Sequence, residues 1–362
     1  MKKNISEDSL SILEEPEEDT VAMSYDIATY PSDYTVNGIV QMYLDKDITI
    51  PNYQREFVWS IKQSSMLIDS FLSGLPVPPV FLYIDEANKS IVIDGQQRIM
   101  SVVFFLEGYF GVESEHHKRV VFRLKGLGNN HPNIDKRFID LDMGMQRKLK
   151  QAVLRAVNIK QLSPAEDNTS AYHIFERLNT GGTPLTPQEI RNCVFMGQFS
   201  DELKELNKDA NWRKILGKKL IDRHQKDVEL LLRVFALSNY LKNYDKPMTD
   251  FLNKALKKNQ GGGTQLTTTF LLQFPVVLRQ VVEAFGDKPF HLRGRLNISA
   301  LDSIMCVLFL NHQKIDAQSI GAKFASLKDS VDFANLLSIN PTDSKSVIER
   351  FAFVNRHFFN NN

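Results

Sequence analysis

Cysteine is scarce in this sequence, which contains two among its 362 residues. Cys193 and Cys306 each lie in an apolar run, where a cysteine usually acts as a small buried hydrophobe. This scarcity excludes a disulfide framework and a cysteine-based zinc cluster. The eight histidines show no metal-ligand spacing such as H-E-x-x-H, so we expect no metal site formed by protein ligands alone.

Long apolar runs and an excess of either charge are missing too. No uninterrupted stretch approaches the roughly 20 apolar residues that a membrane span needs, and Met1-Lys2-Lys3-Asn4 is not followed by the apolar stretch of a signal peptide. We therefore expect a cytoplasmic protein with no membrane partner. The 44 basic and 43 acidic residues nearly cancel, so any contact with nucleic acid must use a local patch.

Composition along the chain predicts a leader and two domains. Between Glu7 and Asp19 seven of thirteen residues are acidic and none is aromatic, so this stretch cannot bury enough apolar surface to offset its ordering entropy. We predict a disordered acidic leader over 1–30, a mixed α/β domain over 31–197 and a mostly helical domain over 198–362. The predicted fold class is α+β.

Apolar periodicity and turn residues predict the individual elements. The predicted helices cover residues 36–44, a segment starting near 60, and residues 98–106, 171–178, 187–195 and 228–241. The predicted strands cover residues 80–84, 91–93, 120–124 and 156–159, of which the first two form a β-hairpin.

The segment Asp94-Gly95-Gln96-Gln97-Arg98, hereafter the DGQQR turn, joins a predicted strand to a predicted helix. Free backbone N–H groups and the positive end of the helix dipole favour an anion there. Gly95 permits close backbone approach, and the amides of Gln96 and Gln97 donate to oxygen. Arg98 offers a fork matched to phosphate, while Asp94 is a candidate ligand for Mg²⁺ or orients a water or an arginine. The alternative is a polar turn in which Arg98 forms a structural salt bridge with Asp94.

A second Gln-Arg pair, Gln54-Arg55, lies in the segment 51–59 between a strand candidate and a helix. Two such pairs suggest one shared anion, which Arg55 and Arg98 neutralise together. In the alternative, the aromatic residues of this segment belong to the core and Arg55 caps a helix end.

The segment 175–191 is the third candidate. Asn179 ends a predicted helix, and Gly181 and Gly182 permit positive φ and exposed N–H groups, the raw material of an anion nest. Residues 186–189, Thr-Pro-Gln-Glu, have the pattern of a capping box, so the next helix start needs no function. A plain helix-loop-helix is the alternative to a ligand-binding loop.

The segment 212–226 carries six basic residues against one acid and is the candidate nucleic-acid patch. Its candidate DNA contacts are Lys214, Lys218, Lys219 and Arg223. A solvated helix face is the alternative explanation of such a run.

Together these motifs resemble the N-terminal domain family of the GmrS/GmrD type IV restriction enzymes, often called the DGQQR family and also present in the phosphorothioate-sensing protein SspE. The family pattern I-P-x-Y/F-Q-R-x-x-x-W is met by residues 50–59, D-G-Q-Q-R by 94–98, and N-x-x-G-x-x-L by 179–185. The similarity runs from about Tyr34 through the helical half. Ile99 and Met100 stand where relatives commonly have Leu-Thr, a change that we expect to affect packing more than phosphate binding.

The resemblance implies a core similar to that of ParB and sulfiredoxin, in which a strand-turn-helix with a G-x-x-R sequence grips nucleotide phosphates. It also implies nucleotide hydrolysis at D-G-Q-Q-R, coupled to recognition of modified DNA, while a separate HNH nuclease domain cuts. This sequence has no HNH-like histidine cluster, so we expect no HNH nuclease in this chain and a separate nuclease subunit as a partner.

Three hypotheses remain for the function. In the leading one the protein is an Mg²⁺-dependent nucleoside triphosphatase of a restriction or antiphage system directed at modified phage DNA, with Asp94, Gln97, Arg98 and Arg55 as catalytic residues. In the second it is a DNA-sensing or partner-binding module in which nucleotide only switches conformation. The third, direct nicking of DNA at the DGQQR turn, needs more carboxylates than the single one assured there. The nucleotide, the DNA modification and the formation of a homo-oligomer stay open.

Overall fold

The computed structural model describes residues 26–50, 57–85, 87–111, 119–128, 130–163, 170–178, 186–222, 224–292 and 294–359. Contacts within the chain separate two compact units, Ser24–Pro184 and Leu185–Asn362. The first unit is mixed α/β and the second is almost entirely helical, so the predicted α+β class is confirmed. The helix predicted at 187–195, which the sequence-based boundary at 197 grouped with the first domain, belongs to the second unit.

The first unit follows a strand-helix order. Its strands are β1 (Asp26–Thr35), β2 (Ile48–Thr49), β3 (Val80–Ile84), β4 (Ser90–Asp94), β5 (Tyr109–Phe110), β6 (Val120–Val121) and β7 (Val153–Ser163). Its helices are α1 (Val36–Leu44), α2 (Ile61–Ser73), α3 (Gln96–Glu107), α4 (Met143–Gln151) and α5 (Ser170–Leu178).

Five of these strands form one mixed sheet in the order β1-β7-β3-β4-β2. β3 and β4 are antiparallel, with Leu82 opposite Val92, which confirms the predicted hairpin. β3 also pairs with β7 in parallel, so both central strands have a neighbour on each side. Their side chains are mostly buried, and this burial explains why they have near-continuous apolar sequences.

Strand β1 corrects the predicted leader of 1–30, because residues 26–30 are paired with β7. No local pattern predicts this pairing, because β1 is an edge strand with mostly exposed side chains and its partner β7 is distant along the chain. Arg155 donates to Asp33 across the two strands, from Nε at 2.8 Å and Nη2 at 3.2 Å, and this ion pair lowers the pKa of Asp33. Of the strand predicted over 120–124, only β6 is formed.

Helix α3 is the buried helix of this unit. Six of the seven apolar residues that follow its first turn are buried: Ile99, Met100, Val102, Val103, Phe104 and Phe105. Ser101 donates to Ser64 of α2 at 2.8 Å, so the polar group in this core is satisfied. Ile99 and Met100, the two residues at which the sequence departs from the family pattern, are both buried in this core.

The second unit is built from ten helices in its described ranges, with one two-stranded hairpin. The helices are α6 (Pro187–Val194), α7 (Gln198–Leu206), α8 (Ala210–Leu216), α9 (Lys226–Tyr240), α10 (Met248–Lys258), α11 (Gln265–Phe285), α12 (Ile298–Leu310), α13 (Ala317–Lys328), α14 (Val331–Ser338) and α15 (Ser344–Phe359). The hairpin consists of β8 (His291–Leu292) and β9 (Arg295–Leu296).

Three buried charges lie at the centre of this helical unit. Asp302 of α12 accepts from Arg233 of α9 at 2.9 Å and lies 3.6 Å from a guanidinium nitrogen of Arg350 of α15. Removing one member of such a group leaves an uncompensated buried charge, which costs about 3–5 kcal/mol. The fully buried Cys306 lies in the same core, and burial raises the pKa of its thiol, so it behaves as the predicted small hydrophobe.

Across the described ranges, none of the helices combines the length and the apolar character required to cross a bilayer.

Candidate functional site

The DGQQR turn has the predicted strand-turn-helix geometry. β4 ends at Asp94, Gly95 is the N-cap of α3 with φ 101°, and Gln96 is the first helical residue. No side chain in the described part of the chain caps this helix. The first intrahelical bond runs from Ile99 N–H to the Gly95 carbonyl at 3.0 Å. An uncapped helix start presents N–H groups and the positive end of the helix dipole, both of which favour an anion.

Gly95 is required by packing as well as by backbone conformation. A Cβ atom at this position would lie 2.3 Å from Cγ1 and 2.7 Å from Cβ of Val80, the first residue of β3. The sequence pattern predicts that this glycine permits close approach by a ligand, but Val80 occupies the space beside its Cα. The glycine therefore fixes the start of α3 against the sheet.

Arg98 forms the salt bridge that the sequence left as an alternative. Its Nη2 donates to Asp94 Oδ2 at 2.6 Å and to the carbonyl oxygen of Pro79 at 3.0 Å. The Arg98 side chain is 16% exposed and that of Asp94 is 49% exposed. Nε of Arg98 is buried and has no hydrogen-bond partner among the described residues. An unsatisfied buried donor costs about 1–3 kcal/mol, so the hydrogen bonds of this guanidinium within the described residues are incomplete.

Gln97 connects the DGQQR turn to the segment that follows Arg55 in the sequence. Its Oε1 accepts from the backbone N–H groups of Val58 and Trp59, both at 3.1 Å. Because two donors point at this atom, it must be the amide oxygen and not the nitrogen. The carbonyl oxygen of Gln97 is thus used by the fold, and only its amide nitrogen is left for the predicted role of positioning an oxygen or a water.

Phe57 anchors the same segment a second time. Its ring lies 4.9 Å from that of Phe104 on α3 and 5.3 Å from that of Phe110, both in edge-to-face contact. Gln54 and Arg55 lie outside the described residues, so the meeting of Arg55 with Arg98 stays a prediction.

Asn179, Gly181 and Gly182 also lie outside the described residues, so the anion nest stays a prediction. The capping box after it is confirmed. The Thr186 N–H donates to Glu189 Oε2 at 2.6 Å, and the Glu189 N–H donates to Thr186 Oγ1 at 3.4 Å. Pro187 occupies the first turn, as the sequence predicted.

The basic run divides into a buried and an exposed part. Trp212 is fully buried, and Arg213 donates to the buried Asp227 at 2.8 Å and to Asn207. Lys214 and Lys219 are exposed and Lys218 is half-buried. Arg223 lies outside the described residues. The periodicity of the run did not distinguish these groups, because the partners of Arg213 are supplied by other elements.

Metal-binding clusters are absent from the described ranges, in which no three His, Cys, Asp or Glu residues are grouped to hold an ion. Asp94 is a single carboxylate at the DGQQR turn, and its Oδ2 is taken by Arg98.

Comparison with known proteins finds a family match for the first unit and α6. Residues 36–196 match the family model described as GmrSD restriction endonuclease, N-terminal domain, so this part of the chain is similar to that family. A domain of this family implies a component of a restriction or defence system. No curated protein matches the chain.

The contacts of Gly95 lead to a stability prediction. Gly95→Ala should lower the free energy of unfolding by about 2–4 kcal/mol, because an alanine at positive φ is strained and its Cβ overlaps Val80. Gly108→Ala is the matched control, since Gly108 ends the same helix at φ 85° with open space around it, and it should cost about 1–2 kcal/mol. Chemical denaturation measures both.

A Val80→Ala background separates strain from overlap in this experiment. Removing Cγ1 relieves the shortest contact, so Gly95→Ala should cost less there than in the wild type. Equal costs at positions 95 and 108 would show that the Val80 contact does not constrain the turn.

Proposed function

We propose that the protein binds and hydrolyses a nucleoside triphosphate at the DGQQR turn as a component of a DNA restriction or antiphage system. The observation that supports this most is the partly satisfied guanidinium of Arg98 beside an uncapped helix start. Asp94 and the Pro79 carbonyl hold the guanidinium in one orientation. Its remaining N–H groups and the first-turn backbone then supply donors for phosphate oxygens.

Arg55 is proposed as the second cation at the phosphates, in agreement with the attachment of residues 57–59 to α3. Gln54 and Gln96 would position phosphate oxygens or water, and the amide nitrogen of Gln97 would donate in the same region. Asn179, Gly181 and Gly182 are proposed to complete the nucleotide site. We also propose that the first unit has a core similar to that of ParB and sulfiredoxin. In this fold Gly95 and Arg98 would be the residues of the turn that hold the nucleotide phosphates.

Mg²⁺ is the proposed cofactor, and the residues at the DGQQR turn fit it. Mg²⁺ is usually bound through one or two carboxylates together with substrate phosphates, and Asp94 offers one half-exposed carboxylate. Asp94 and the nucleotide would hold the ion, which supplies positive charge at the phosphate oxygens when bound. The remaining task of the chain is to orient the phosphates, because phosphoryl transfer depends chiefly on positioning and charge stabilisation.

A second candidate function is a DNA-sensing or partner-binding module that binds nucleotide without turnover and works with a separate nuclease. The single carboxylate at the DGQQR turn, already paired with Arg98, favours this candidate. The exposed Lys214 and Lys219 are candidate contacts to the phosphates of DNA, including modified phage DNA. Nicking of DNA at the turn is supported least, since metal nucleases usually gather several carboxylates.

The test of the proposed function is Arg98→Ala, measured by phosphate release with each of the four nucleoside triphosphates, with and without DNA. We expect release to fall about 100-fold or more, because a preorganised charged donor at the transferring group contributes roughly 3 kcal/mol. Arg123→Ala is the control, since Arg123 is a 46%-exposed arginine of the same unit. Unchanged release in Arg98→Ala would reject the role, whereas binding without release in the wild type would favour the sensing module.

Gln97 provides a separate prediction about stability and binding. Gln97→Ala leaves the N–H groups of Val58 and Trp59 without their acceptor and should cost about 1–3 kcal/mol of unfolding free energy. Gln97→Glu keeps an accepting oxygen, so stability should be retained, while the added negative charge should weaken nucleotide binding. Calorimetric titration and thermal unfolding of both variants give the two readouts. Wild-type nucleotide affinity in Gln97→Glu would place the nucleotide elsewhere.

A further inference from the structure

Two basic segments of the helical unit are brought together at the end of α8. The Lys288 N–H donates to the Lys214 carbonyl at 3.1 Å. The aliphatic part of the Lys288 side chain lies 2.5–2.8 Å from the position that a Cβ of Gly217 would occupy. The segment around Lys288 was not a candidate in the sequence, because 71 residues separate it from Gly217. We name the set Lys214, Lys218, Lys219, Lys288 and Arg295 the basic surface.

Local structure fixes this juxtaposition. α8 ends at Gly217 with φ 65°, and the absence of a side chain there leaves the space in which Lys288 lies. Arg213 holds the following loop from inside by donating to the Leu220 carbonyl at 3.3 Å and to Asp227. The hairpin β8–β9 begins three residues after Lys288 and carries Arg295.

Four of the five cations of the basic surface are exposed to solvent. Lys214, Lys219, Lys288 and Arg295 are exposed, and none of them forms an ion pair with a carboxylate in the described part of the chain. In the described residues of 214–221 and 287–296 the acidic side chain is Asp287. Positive charge is therefore in excess. Burial and the nearby positive charge of Lys288 lower the pKa of His291, which is consistent with an excess of positive charge in this region.

The aromatic residues of the two segments decide which kind of nucleic acid fits. Proteins that bind single strands stack bases on exposed aromatic rings. Trp212 and Phe290 are both fully buried, so neither offers a stacking platform. Apart from Asp287, the exposed side chains among the described residues of these segments are cations and the aliphatic Leu220 and Ile221. Such a surface suits the backbone of a duplex, where lysine and arginine contact phosphates without reading bases.

We propose that the basic surface binds the phosphate backbone of double-stranded DNA. This inference deepens the DNA contact of the proposed restriction function but does not depend on nucleotide turnover, because every residue of the surface lies in the helical unit. Lys288 and Arg295 enlarge the patch beyond the candidates of segment 212–226. The basic surface would contribute affinity for DNA that does not depend on base sequence, and a modified base would be recognised by another part of the protein.

The experiment measures binding of the full chain to a fluorescent duplex of random sequence by anisotropy over a series of salt concentrations. Lys214→Gln and Lys288→Gln should each weaken binding and make the slope of log affinity against log salt shallower by about 1, the effect of one lost phosphate contact. Lys288→Arg should retain the slope. Lys242→Gln is the matched control, because Lys242 is exposed just beyond the opposite end of α9, about 22 Å along that helix.

Further arms separate the alternatives. Equal loss in the Lys242→Gln control, or an unchanged slope in Lys288→Gln, would overturn the proposal. So would tighter binding to a single strand of the same length, or binding to vesicles of anionic lipid and not to the duplex. Phosphate release by Lys288→Gln without DNA should equal that of the wild type, so failure of this surface is distinguishable from failure of the nucleotide site.

Discussion

The contact between Gly95 and Val80 is the constraint on which the first unit depends. It sets the start of the buried helix α3 against the first residue of β3, with no room for a side chain between them. Arg98, one turn further on, then reaches both Asp94 at the end of β4 and the Pro79 carbonyl just before β3. One tight turn therefore determines where a guanidinium, a carboxylate and a helix dipole meet.

Elements with local signals were predictable from sequence. α1 and β3 have the predicted bounds, and the Thr186 capping box forms as its spacing indicated. Local patterns do not reveal which distant residue or strand an element binds. β1 is stabilised by a strand more than a hundred residues away, and Gln97 binds backbone N–H groups that no side-chain pattern reveals. For this reason the sequence located the DGQQR turn but did not reveal that the side-chain carbonyl oxygen of Gln97 is used by the fold.

Burial decides which cations of the chain are available for ligands. Arg233 and Arg350 surround Asp302 inside the helical core, and Arg213 is paired with Asp227. Such arginines hold helices together, since a buried charge needs a partner. Lysines at helix ends remain in water and form the basic surface. In the first unit Arg98 is intermediate between these cases, because it is mostly buried and only partly satisfied.

The most direct test of the account is a double-mutant cycle on nucleotide binding with Arg55→Ala, Arg98→Ala and the double variant, measured by calorimetry. Two guanidinium groups that share one phosphate chain should show a coupling free energy above about 0.5 kcal/mol. Additive losses would contradict the account, as would a wild-type chain that binds none of the four nucleoside triphosphates.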